Sequence, residues 1–505
     1  MTFAKSIAVT ADAAEHCGSS LARLSARKQE IRRRSDASTY ERAKWRRRGA
    51  FFHGEDLQFL RFLIPEGARV LELGCSTGEL LAALRPSLGV GVDLSGVAIA
   101  QARKTFPDLT FHVGDVEDPA FVAALPGPFD FIVVVDTLGA LEDCQRMFEN
   151  LHRLCTRETR VIVGYFSYGW HPLLKLAEWL RLKMPQPPQN VLAVGDVRAL
   201  AALADFEAVK SERRLLLPLR LLGLGRLINR FLAPLPLLNS LCLRHYTMCR
   251  SLRERGEEPR TVTIVIPARN ERGNIEPAIR RIPRFAGDPE IIFVEGHSRD
   301  GTWGEIERVI RANPDLNIKG LRQPGHGKAD AVYAGFDAAT GDVVMILDAD
   351  LTIAPEHLPK FWEAIRSGKG EFVNGTRLVY PFEQDAMRFL NWVGNKMFSR
   401  VFSWLLGQRF TDTLCGTKVL RRSDYLRLKA GRSYFGDFDP FGDFELLFPA
   451  AVLGLGIVDI PIRYRARTYG ETNIQRFRHG LLLLKMTWVG LIRIKMRVTK
   501  SRQIP

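Results

Sequence analysis

Short apolar runs alternate with helix-length segments twice along this chain of 505 residues. Continuous apolar strands separated by helices are typical of parallel sheets that helices cover on both faces. The pattern therefore predicts an α/β chain with two Rossmann-like domains in tandem. The expected strands are 69–73, 89–93, 109–113, 129–135 and 160–165 in the first sheet, and 261–266, 290–294, 317–321 and 342–347 in the second.

The composition is that of a globular protein, because 46% of the residues are hydrophobic and 25% are charged. Disordered, collagen-like and coiled-coil chains have other compositions. No uncharged apolar run reaches the roughly 18 residues of a spanning helix, and no long apolar stretch follows the N-terminus, so we expect neither a transmembrane helix nor a signal peptide. Seven Cys without a CxxC pair favour a reducing cytosol over disulfides or a zinc site.

The net charge of +16 is concentrated in three basic segments, 1–50, 213–253 and 463–505. Two of them contain stretches, 215–243 and 481–497, in which basic residues are interspersed with Leu and aromatic residues. Such a composition is typical of a surface on anionic lipid, where each basic residue contributes about 1 kcal/mol. Buried helices with Arg at their ends are the alternative. We expect no nucleic-acid partner, because these segments are poor in residues that read bases.

A glycine-rich turn follows the first expected strand, in the sequence RVLELGCSTGEL over residues 69–80. Glycines let the backbone approach a ligand and leave free N–H groups at a helix N-terminus. The second strand ends at Asp93, whose carboxylate suits two ribose hydroxyls, and acids also follow the third and fourth strands, at Asp115 and Asp136. This combination indicates a cofactor site at one edge of the first sheet.

The arrangement resembles the class I S-adenosylmethionine-dependent methyltransferases over roughly residues 50–250. The resemblance implies that S-adenosylmethionine is the cofactor of the first domain. It assigns the methionine side to Glu72, Gly74 and Gly78, the ribose to Asp93, the adenine to Asp115 and Val116, and the acceptor side of the pocket to Asp136 and Leu138.

Two features leave alternatives open at this site. Ser76 stands where the methyltransferases often have Gly. A dinucleotide is the competing cofactor, although GCSTG lacks the six-residue glycine spacing of dinucleotide sites. A hydroxyl acceptor would benefit from a base, for which His171 is the candidate.

The second series of strands ends in polar residues of another kind. The first strand runs into PARNE (267–271), the second ends at Glu295 before SRDGTW, and the fourth ends in Asp348-Ala349-Asp350. Two carboxylates two residues apart on a strand point the same way, which suits a hard divalent cation that keeps waters and accepts diphosphate oxygens. Such a cation neutralises a departing nucleoside diphosphate.

These sequences, with NGTR (374–377), CGTK (415–418) and RTYGET (467–472), resemble the inverting family 2 glycosyltransferases over about residues 261–480. Within them the chain is most similar to polyprenyl-phosphate sugar transferases of the dolichyl-phosphate mannosyltransferase type. The resemblance implies a GT-A sheet, a nucleotide-sugar donor, and Mg²⁺ or Mn²⁺ on Asp348 and Asp350. It also implies that the donor contacts Pro267, Asn270, Glu271, Glu295, Lys328, Asp348 and Arg377. Glu295-Gly296 replaces two Asp of the family, which leaves the nucleotide base open.

The acceptor is expected near FGDFELLF (441–448), where Asp443 and Glu445 join Asp350 as candidate catalytic residues. A hydroxyl acceptor needs one of these acids as a base. A lipid phosphate is already anionic and is better served by cations. The sequence QRFRHG offers Gln475, Arg476 and Arg478 for that purpose.

The sequence thus predicts a bifunctional enzyme, peripheral on the cytoplasmic face of a membrane. It transfers a sugar to polyprenyl phosphate and methylates a glycan or glycolipid. The alternative is a glycosyltransferase that acts on a glycan hydroxyl, with an N-terminal domain that only docks to a membrane or a partner. The expected domains are a basic helical extension (1–50), a methyltransferase domain (51–250), a linker (251–260), a glycosyltransferase domain (261–470) and a basic amphipathic segment (471–505).

Overall fold

The chain forms two compact units, and the division between them falls between Gly256 and Glu257. Each unit is built around a seven-stranded sheet, so the predicted pair of Rossmann-like domains is confirmed. The computed structural model describes residues 24–381, 389–432, 442–465, 467, 469 and 476–496.

The strands of the first unit are β1 (Arg69–Leu73), β2 (Leu88–Asp93), β3 (Thr110–Val113), β4 (Phe131–Val135), β5 (Arg160–Phe166), β6 (Phe206–Arg214) and β7 (Arg244–Ser251). Their order in the sheet is β3-β2-β1-β4-β5-β7-β6. Strands β1 to β5 are parallel, and β7 runs antiparallel to β5 and β6. The chain order reverses between β1 and β4, and open α/β sheets bind ligands at such a point.

Helices cover both faces of this sheet, because β1, β4 and β5 are apolar on both sides. Helix α1 is rich in charge and begins directly after Ser25, whose side chain caps it. The helices of the first unit are α1 (Ala26–Arg48), α2 (Ala50–Leu63), α3 (Glu79–Leu84), α4 (Gly96–Thr105), α5 (Pro119–Ala123), α6 (Cys144–Leu151), α7 (His171–Trp179), α8 (Val194–Leu203), α9 (Leu224–Leu227) and α10 (Pro236–Asn239).

The strands of the second unit are β8 (Val262–Ala268), β9 (Glu290–Glu295), β10 (Ile318–Arg322), β11 (Val343–Ile346), β12 (Phe372–Thr376), β13 (Lys418–Arg421) and β14 (Ile457–Pro461). Their order is β10-β9-β8-β11-β13-β12-β14. Strand β13 runs antiparallel to its neighbours β11 and β12. Strands β8, β9 and β11 run parallel to one another, so their carboxyl ends share one edge of the sheet.

The helices of the second unit are α11 (Ile275–Arg281), α12 (Thr302–Ala312), α13 (Lys328–Ala338), α14 (Leu358–Arg366), α15 (Phe389–Leu406), α16 (Arg422–Ala430), α17 (Asp443–Leu453) and α18 (Arg476–Gly490). A π-helical turn, Leu491–Met496, follows α18. Among the described residues, no helix combines the length and apolarity needed to cross a bilayer.

The two apolar and basic stretches adopt different structures. Residues 215–243, which we call the Leu-rich excursion, connect β6 to β7 through short helical turns and leave many Leu side chains exposed. In α18, Met486 is buried, whereas Leu481, Leu484 and Trp488 are exposed. Both stretches therefore present apolar side chains to solvent, in addition to those that pack inside.

Two candidate active sites

The glycine-rich turn after β1 is fixed by its backbone conformation and by its packing. Gly74 and Gly78 have φ angles of +75° and +79°, a conformation that glycine adopts without strain. The N–H of Gly74 donates to the carbonyl of Val92 on β2 over 2.7 Å. A Cβ on Gly74 would collide with Thr137, and one on Gly78 with the ring of Phe111. Both glycines are thus required by the turn itself, and their place beside a cofactor stays a prediction.

Glu72 lies on β1, directly below this turn. It is 5% exposed, and its Oε2 has no hydrogen-bond partner among the residues that the structure describes. Burial raises the pKa of Glu72 to about 8, although the charge of Arg46 and the N–H of Leu81 favour the ionised form. A buried carboxyl with a free oxygen suits an ammonium group, which the methionine part of S-adenosylmethionine carries. The residue therefore fits this cofactor.

Asp93 ends β2 and holds the two loops beside it. Its Oδ2 accepts the N–H of Ser76 at 2.9 Å, and its Oδ1 accepts the N–H of Ser95 at 2.8 Å. Burial raises the pKa of Asp93, against these two hydrogen bonds. A carboxylate offers about four acceptor positions, so two remain for hydroxyl donors.

Helix α1 lies against the residues that follow β1, β2 and β3. The Nζ of Lys28 is 2.6 Å from Oδ2 of Asp115 and 3.1 Å from Oε2 of Glu117. Arg42 donates to Oγ of Ser76 at 2.9 Å. Burial disfavours the charge of Lys28, but the two carboxylates outweigh it and the pKa of Lys28 is raised. Part of the predicted basic extension thus packs onto the predicted cofactor edge.

The remaining predicted residues of the first site differ in exposure. Val116 and Leu138 are buried at 6% and 2% exposure. Asp136, which follows β4, has 38% of its side chain exposed. His171 is the first residue of α7 and is half-buried. All four lie at the carboxyl edge of the first sheet or directly beyond it.

Arg244 is a residue of this edge that the sequence patterns do not indicate. Its side chain is fully buried and pairs with Asp136, and its Nη2 is 3.0 Å from Oδ2 of Asp56 on α2. Phe166 and Phe52 lie against the guanidinium, with ring centroids 4.7 and 5.3 Å from its central carbon. Burial opposes the charge, yet the two carboxylates raise the pKa of Arg244 well above its usual value. The pair fixes the carboxylate of Asp136 at the carboxyl end of β4.

The second candidate site lies at the carboxyl end of β11. Oδ1 of Asp348 is 2.5 Å from Nζ of Lys328, and Oδ2 of Asp350 is 2.7 Å from Nη2 of Arg467. The side chains of the two Asp are 24% and 16% exposed, so neither is sealed in the core. Burial would raise the pKa of Asp348, but Lys328 lowers it. Each carboxylate is thus balanced by a basic side chain.

Gly416 of the CGTK sequence makes room for this site. A Cβ on Gly416 would collide with the carboxylate of Asp348 and lie 2.5 Å from Nζ of Lys328. The neighbouring Cys415 is fully buried, and burial raises the pKa of its thiol to about 12. Cys415 therefore stays protonated and packs in the core.

The predicted nucleoside ligands lie at the carboxyl ends of the adjacent strands β8 and β9. Glu271 is 3.3 Å from Nη1 of Arg467, which also contacts Asp350. The side chain of Asn270 accepts the N–H of Arg299 at 2.8 Å, which closes the loop between β9 and α12. The predicted nucleoside ligands at these two strand ends are Pro267, Asn270, Glu271 and Glu295.

Arg377, a predicted phosphate ligand, makes a two-nitrogen contact with Asp412. Its Nε is 2.7 Å from Oδ2 and its Nη2 is 2.9 Å from Oδ1 of that residue. Burial would raise the pKa of Asp412, but Arg377 holds it at about 2. Asn395 also donates to Asp412, at 2.8 Å. A role of Arg377 at a phosphate stays a prediction.

The predicted acceptor residues are described only in part. Glu445 is 5% exposed, and its Oε2 is 3.3 Å from Nη2 of Arg432. Asp443 begins α17 and Arg476 begins α18, but their side chains lie outside the described residues, as does that of Arg478. Gln475 lies outside them altogether.

No group of three or more His, Cys, Asp or Glu that could hold a metal ion occurs in the described part of the chain. The two carboxylates of the DxD sequence nevertheless fit a cation such as Mg²⁺, which takes one or two protein carboxylates together with phosphate oxygens and water. The two carboxylates would therefore suit a metal that also binds a nucleotide, and this role stays a prediction.

Two family models match the chain: residues 42–211 match a methyltransferase domain and residues 263–427 match glycosyl transferase family 2. A dolichyl-phosphate hexose transferase of Haloferax volcanii is 31% identical over 229 residues, which cover 44% of this chain and 91% of that protein. A dolichol-phosphate mannosyltransferase of Pyrococcus furiosus is 28% identical over 244 residues, or 46% of this chain and 65% of that protein.

A solved structure of a methyltransferase from Thermotoga maritima is 19% identical, with a TM-score of 0.34, and the match covers 44% of this chain and 99% of that chain. The two family matches and the two seven-stranded sheets together define a transferase with two Rossmann-like domains. The chain belongs to glycosyl transferase family 2 and carries a methyltransferase domain in its first unit.

Proposed function

We propose that the second unit transfers a hexose from a nucleoside diphosphate sugar to a polyprenyl phosphate, with inversion. The arrangement around Asp348 and Asp350 carries this proposal, because both carboxylates reach solvent and each is balanced by a basic side chain. Two relatives of this unit are named as dolichyl-phosphate or dolichol-phosphate sugar transferases, which supports the choice of acceptor.

In this proposal Asp348 and Asp350 hold Mg²⁺ or Mn²⁺, which supplies positive charge to the departing diphosphate. Lys328 and Arg467 turn from the carboxylates to the phosphate oxygens, so the site stays near charge balance throughout. Pro267, Asn270, Glu271 and Glu295 border the nucleoside at the ends of β8 and β9.

An anionic phosphate acceptor needs no general base, and this agrees with the surroundings of Glu445. That side chain is buried and lies beside Arg432, whereas a base must reach the hydroxyl that it deprotonates. A glycan hydroxyl remains the competing acceptor. The competing proposal requires Glu445 or Asp443 to take the proton.

The first experiment measures the hydrolysis of UDP- and GDP-sugars with Mn²⁺, with and without polyprenyl phosphate. We expect product on the lipid phosphate, and loss of turnover in Asp350→Ala. The matched control is Asp315→Ala, an exposed carboxylate after α12. Retained turnover in Asp350→Ala would reject the metal assignment.

The first unit, in the same proposal, methylates an acceptor with S-adenosylmethionine. Glu72 would receive the ammonium group, Asp93 the ribose, and the segment of Asp115 and Val116 the adenine. The free Oε2 of the buried Glu72 is the observation that supports a bound cofactor. Calorimetry separates a methyltransferase from a docking module. If the chain does not bind S-adenosylmethionine, or if Asp93→Ala binds it like wild type, the docking module is favoured.

Membrane association is the last part of the proposal. Leu222, Leu224 and Leu227 of the Leu-rich excursion are exposed, next to the exposed Arg220 and Arg226. Apolar side chains beside basic ones suit an anionic lipid surface. We expect flotation with vesicles that contain anionic lipid, weakened by high salt because salt screens surface charge. Equal flotation with neutral vesicles would contradict an electrostatic contribution to membrane binding.

A further inference from the structure

A cavity of about 290 Å³ lies in the first unit, beside the ends of β5, β6 and β7. This volume is just below the roughly 300–1,000 Å³ of small-molecule pockets, so the cavity suits one ring-sized group. None of the predicted site residues lines it. Its polar and aromatic lining consists of Tyr165, Ser167, Tyr168, Arg213, Ser240 and His245.

The strand register places three of these side chains in one row. Tyr165 of β5 is directly opposite His245 of β7, and His245 is directly opposite Arg213 of β6. Residues directly opposite each other point to the same face of a sheet. The rings of Tyr165 and His245 are stacked, with centroids 5.6 Å apart and an angle of 23°.

His245 is 5% exposed, and within the described residues no group hydrogen-bonds to its ring nitrogens. Burial, together with the charges of Arg213 and Arg244, lowers the pKa of His245 to about 4. The ring is therefore neutral at pH 7, with one nitrogen able to accept a proton. Because His245 lines the cavity, a ring nitrogen without a protein partner is available to a ligand there.

The cavity adjoins the cofactor edge. Leu192 to Gly195 line one side of it. Asn190, two residues before Leu192, is hydrogen-bonded to the loop after β4. The side-chain amide of Asn190 donates to the carbonyls of Leu138 and Leu141 at 3.0 and 2.7 Å. The loop after β4 is where the acceptor side of the cofactor pocket is expected.

The rim of the cavity is apolar. Tyr168, which lines it, is 63% exposed, and α7 follows with exposed Leu173, Leu176 and Trp179. Trp170 donates from Nε1 to the carbonyl of Leu241 at 2.7 Å, which joins this side to the Leu-rich excursion. A ligand in the cavity thus has exposed aliphatic and aromatic side chains next to it.

We propose that this cavity is the methyl-acceptor site, that it takes one sugar ring of a glycolipid whose apolar part lies on the rim, and that His245 accepts the proton of the methylated hydroxyl. The inference rests on the proposed methyltransferase function and names its acceptor class. The aromatic side chains suit the apolar faces of a sugar ring, and the Ser hydroxyls and Arg213 suit its hydroxyl groups.

The methyl transfer is a nucleophilic displacement. The hydroxyl oxygen donates an electron pair to the sulfonium methyl carbon, and the carbon–sulfur bond breaks with its pair on sulfur. The hydroxyl proton passes to the ring nitrogen of His245. A weakly basic imidazole suffices, because a protonated ether is a far stronger acid than an imidazolium.

The test uses the full chain, tritiated S-adenosylmethionine, and octyl glucoside, octyl mannoside and octyl galactoside as probes. We expect transfer to at least one octyl hexoside and to none of the free hexoses. His245→Gln should lower kcat about 100-fold or more, since a general base contributes roughly 10²–10⁴-fold. Calorimetry should give an unchanged Kd for S-adenosylmethionine in this variant. The matched control, Ser211→Ala, alters the next residue of β6 on the same face and should behave like wild type.

A second readout does not involve turnover. The octyl hexoside that is methylated should bind the cofactor-free chain, and Tyr165→Ala, which removes a wall of the cavity, should weaken that binding more than tenfold. His245→Gln with kcat within threefold of wild type would overturn the proposal. So would a chain that binds S-adenosylmethionine but methylates none of the octyl hexosides. A chain that does not bind the cofactor would instead reject the proposed function itself.

Discussion

The guanidinium of Arg467 lies between Asp350 and Glu271, 2.7 Å from the first carboxylate and 3.3 Å from the second. One basic side chain therefore joins the DxD sequence at the end of β11 to the PARNE sequence at the end of β8. Arg467 is distant from both in the chain, and only the fold brings the three together. A cation that binds Asp350 must compete with this guanidinium.

Arg467→Ala is expected to tighten the binding of Mn²⁺ to the chain without nucleotide. Removing the guanidinium frees Asp350 and takes away a like charge from the metal, for which we expect about a tenfold gain, or ~1.4 kcal/mol. Sugar transfer should fall in the same variant, because the diphosphate loses a cation. Electron paramagnetic resonance of free Mn²⁺ measures the affinity, with the exposed Arg465→Ala as control. Unchanged or weaker metal binding would contradict the competition.

Gly416→Ala should abolish sugar transfer while the first unit keeps its binding of S-adenosylmethionine. The added Cβ would overlap the carboxylate of Asp348 and crowd Nζ of Lys328, so this part of the site must shift. Gly394→Ala is the matched control, because a Cβ there meets nothing within 4 Å. Wild-type turnover in Gly416→Ala would show that the position of Asp348 does not matter for catalysis.

The parallel strands were predictable because they are buried on both faces and read as continuous apolar runs. The expected strands 69–73 and 290–294 lie at β1 and β9 within one residue. Strands β6 and β7 were not predictable, since FEAVKSERR and RHYTMCRS contain charged residues at positions that the structure buries. Arg244 is tolerated there because Asp56 and Asp136 neutralise it, and those partners are far away in sequence.

The residues of the candidate sites also divide into those that the sequence predicts and those that it does not. Residues at strand ends, such as Asp93 and Asp350, follow from local sequence and from the rule that parallel strands share a carboxyl edge. Contacts made by distant segments do not. The pairing of Lys28 with Asp115 has no signal in spacing or composition, and RTYGET (467–472) does not indicate which residues Arg467 contacts. The cavity at His245 needs the register of three strands, two of which the patterns do not indicate.

Asp412→Asn should destabilise the second unit at neutral pH by ~3 kcal/mol. The charge of Arg377, whose side chain is only 12% exposed, would lose its partner. The folded pKa of Asp412 is about 2, below its ordinary value of 3.8. Its stabilisation is therefore complete above pH 3.8 and is lost as the pH falls towards 2. Urea unfolding of the full chain between pH 6 and 2.5 measures this. Asp315→Asn is the control, and an acid-dependent loss that persists unchanged in Asp412→Asn would contradict the assignment.

Glu72 gives the binding of the cofactor a pH dependence near neutrality, because its pKa is raised to about 8. Its pKa of about 8 means that the carboxyl is protonated at pH 7, yet pairing with the ammonium of S-adenosylmethionine requires the carboxylate. Binding must then release a proton, and affinity should rise about tenfold between pH 6 and 7 and level off above pH 8.

Calorimetry in phosphate and Tris buffers counts the released protons, because the two buffers differ in their heats of ionisation. Glu72→Gln should bind the cofactor more weakly, release no proton and lose the pH dependence below pH 8. The control is Glu66→Gln, which alters an exposed carboxylate ahead of β1. Should wild type bind S-adenosylmethionine with the same affinity at pH 6 and pH 8, the buried carboxyl of Glu72 is not the group that receives the ammonium.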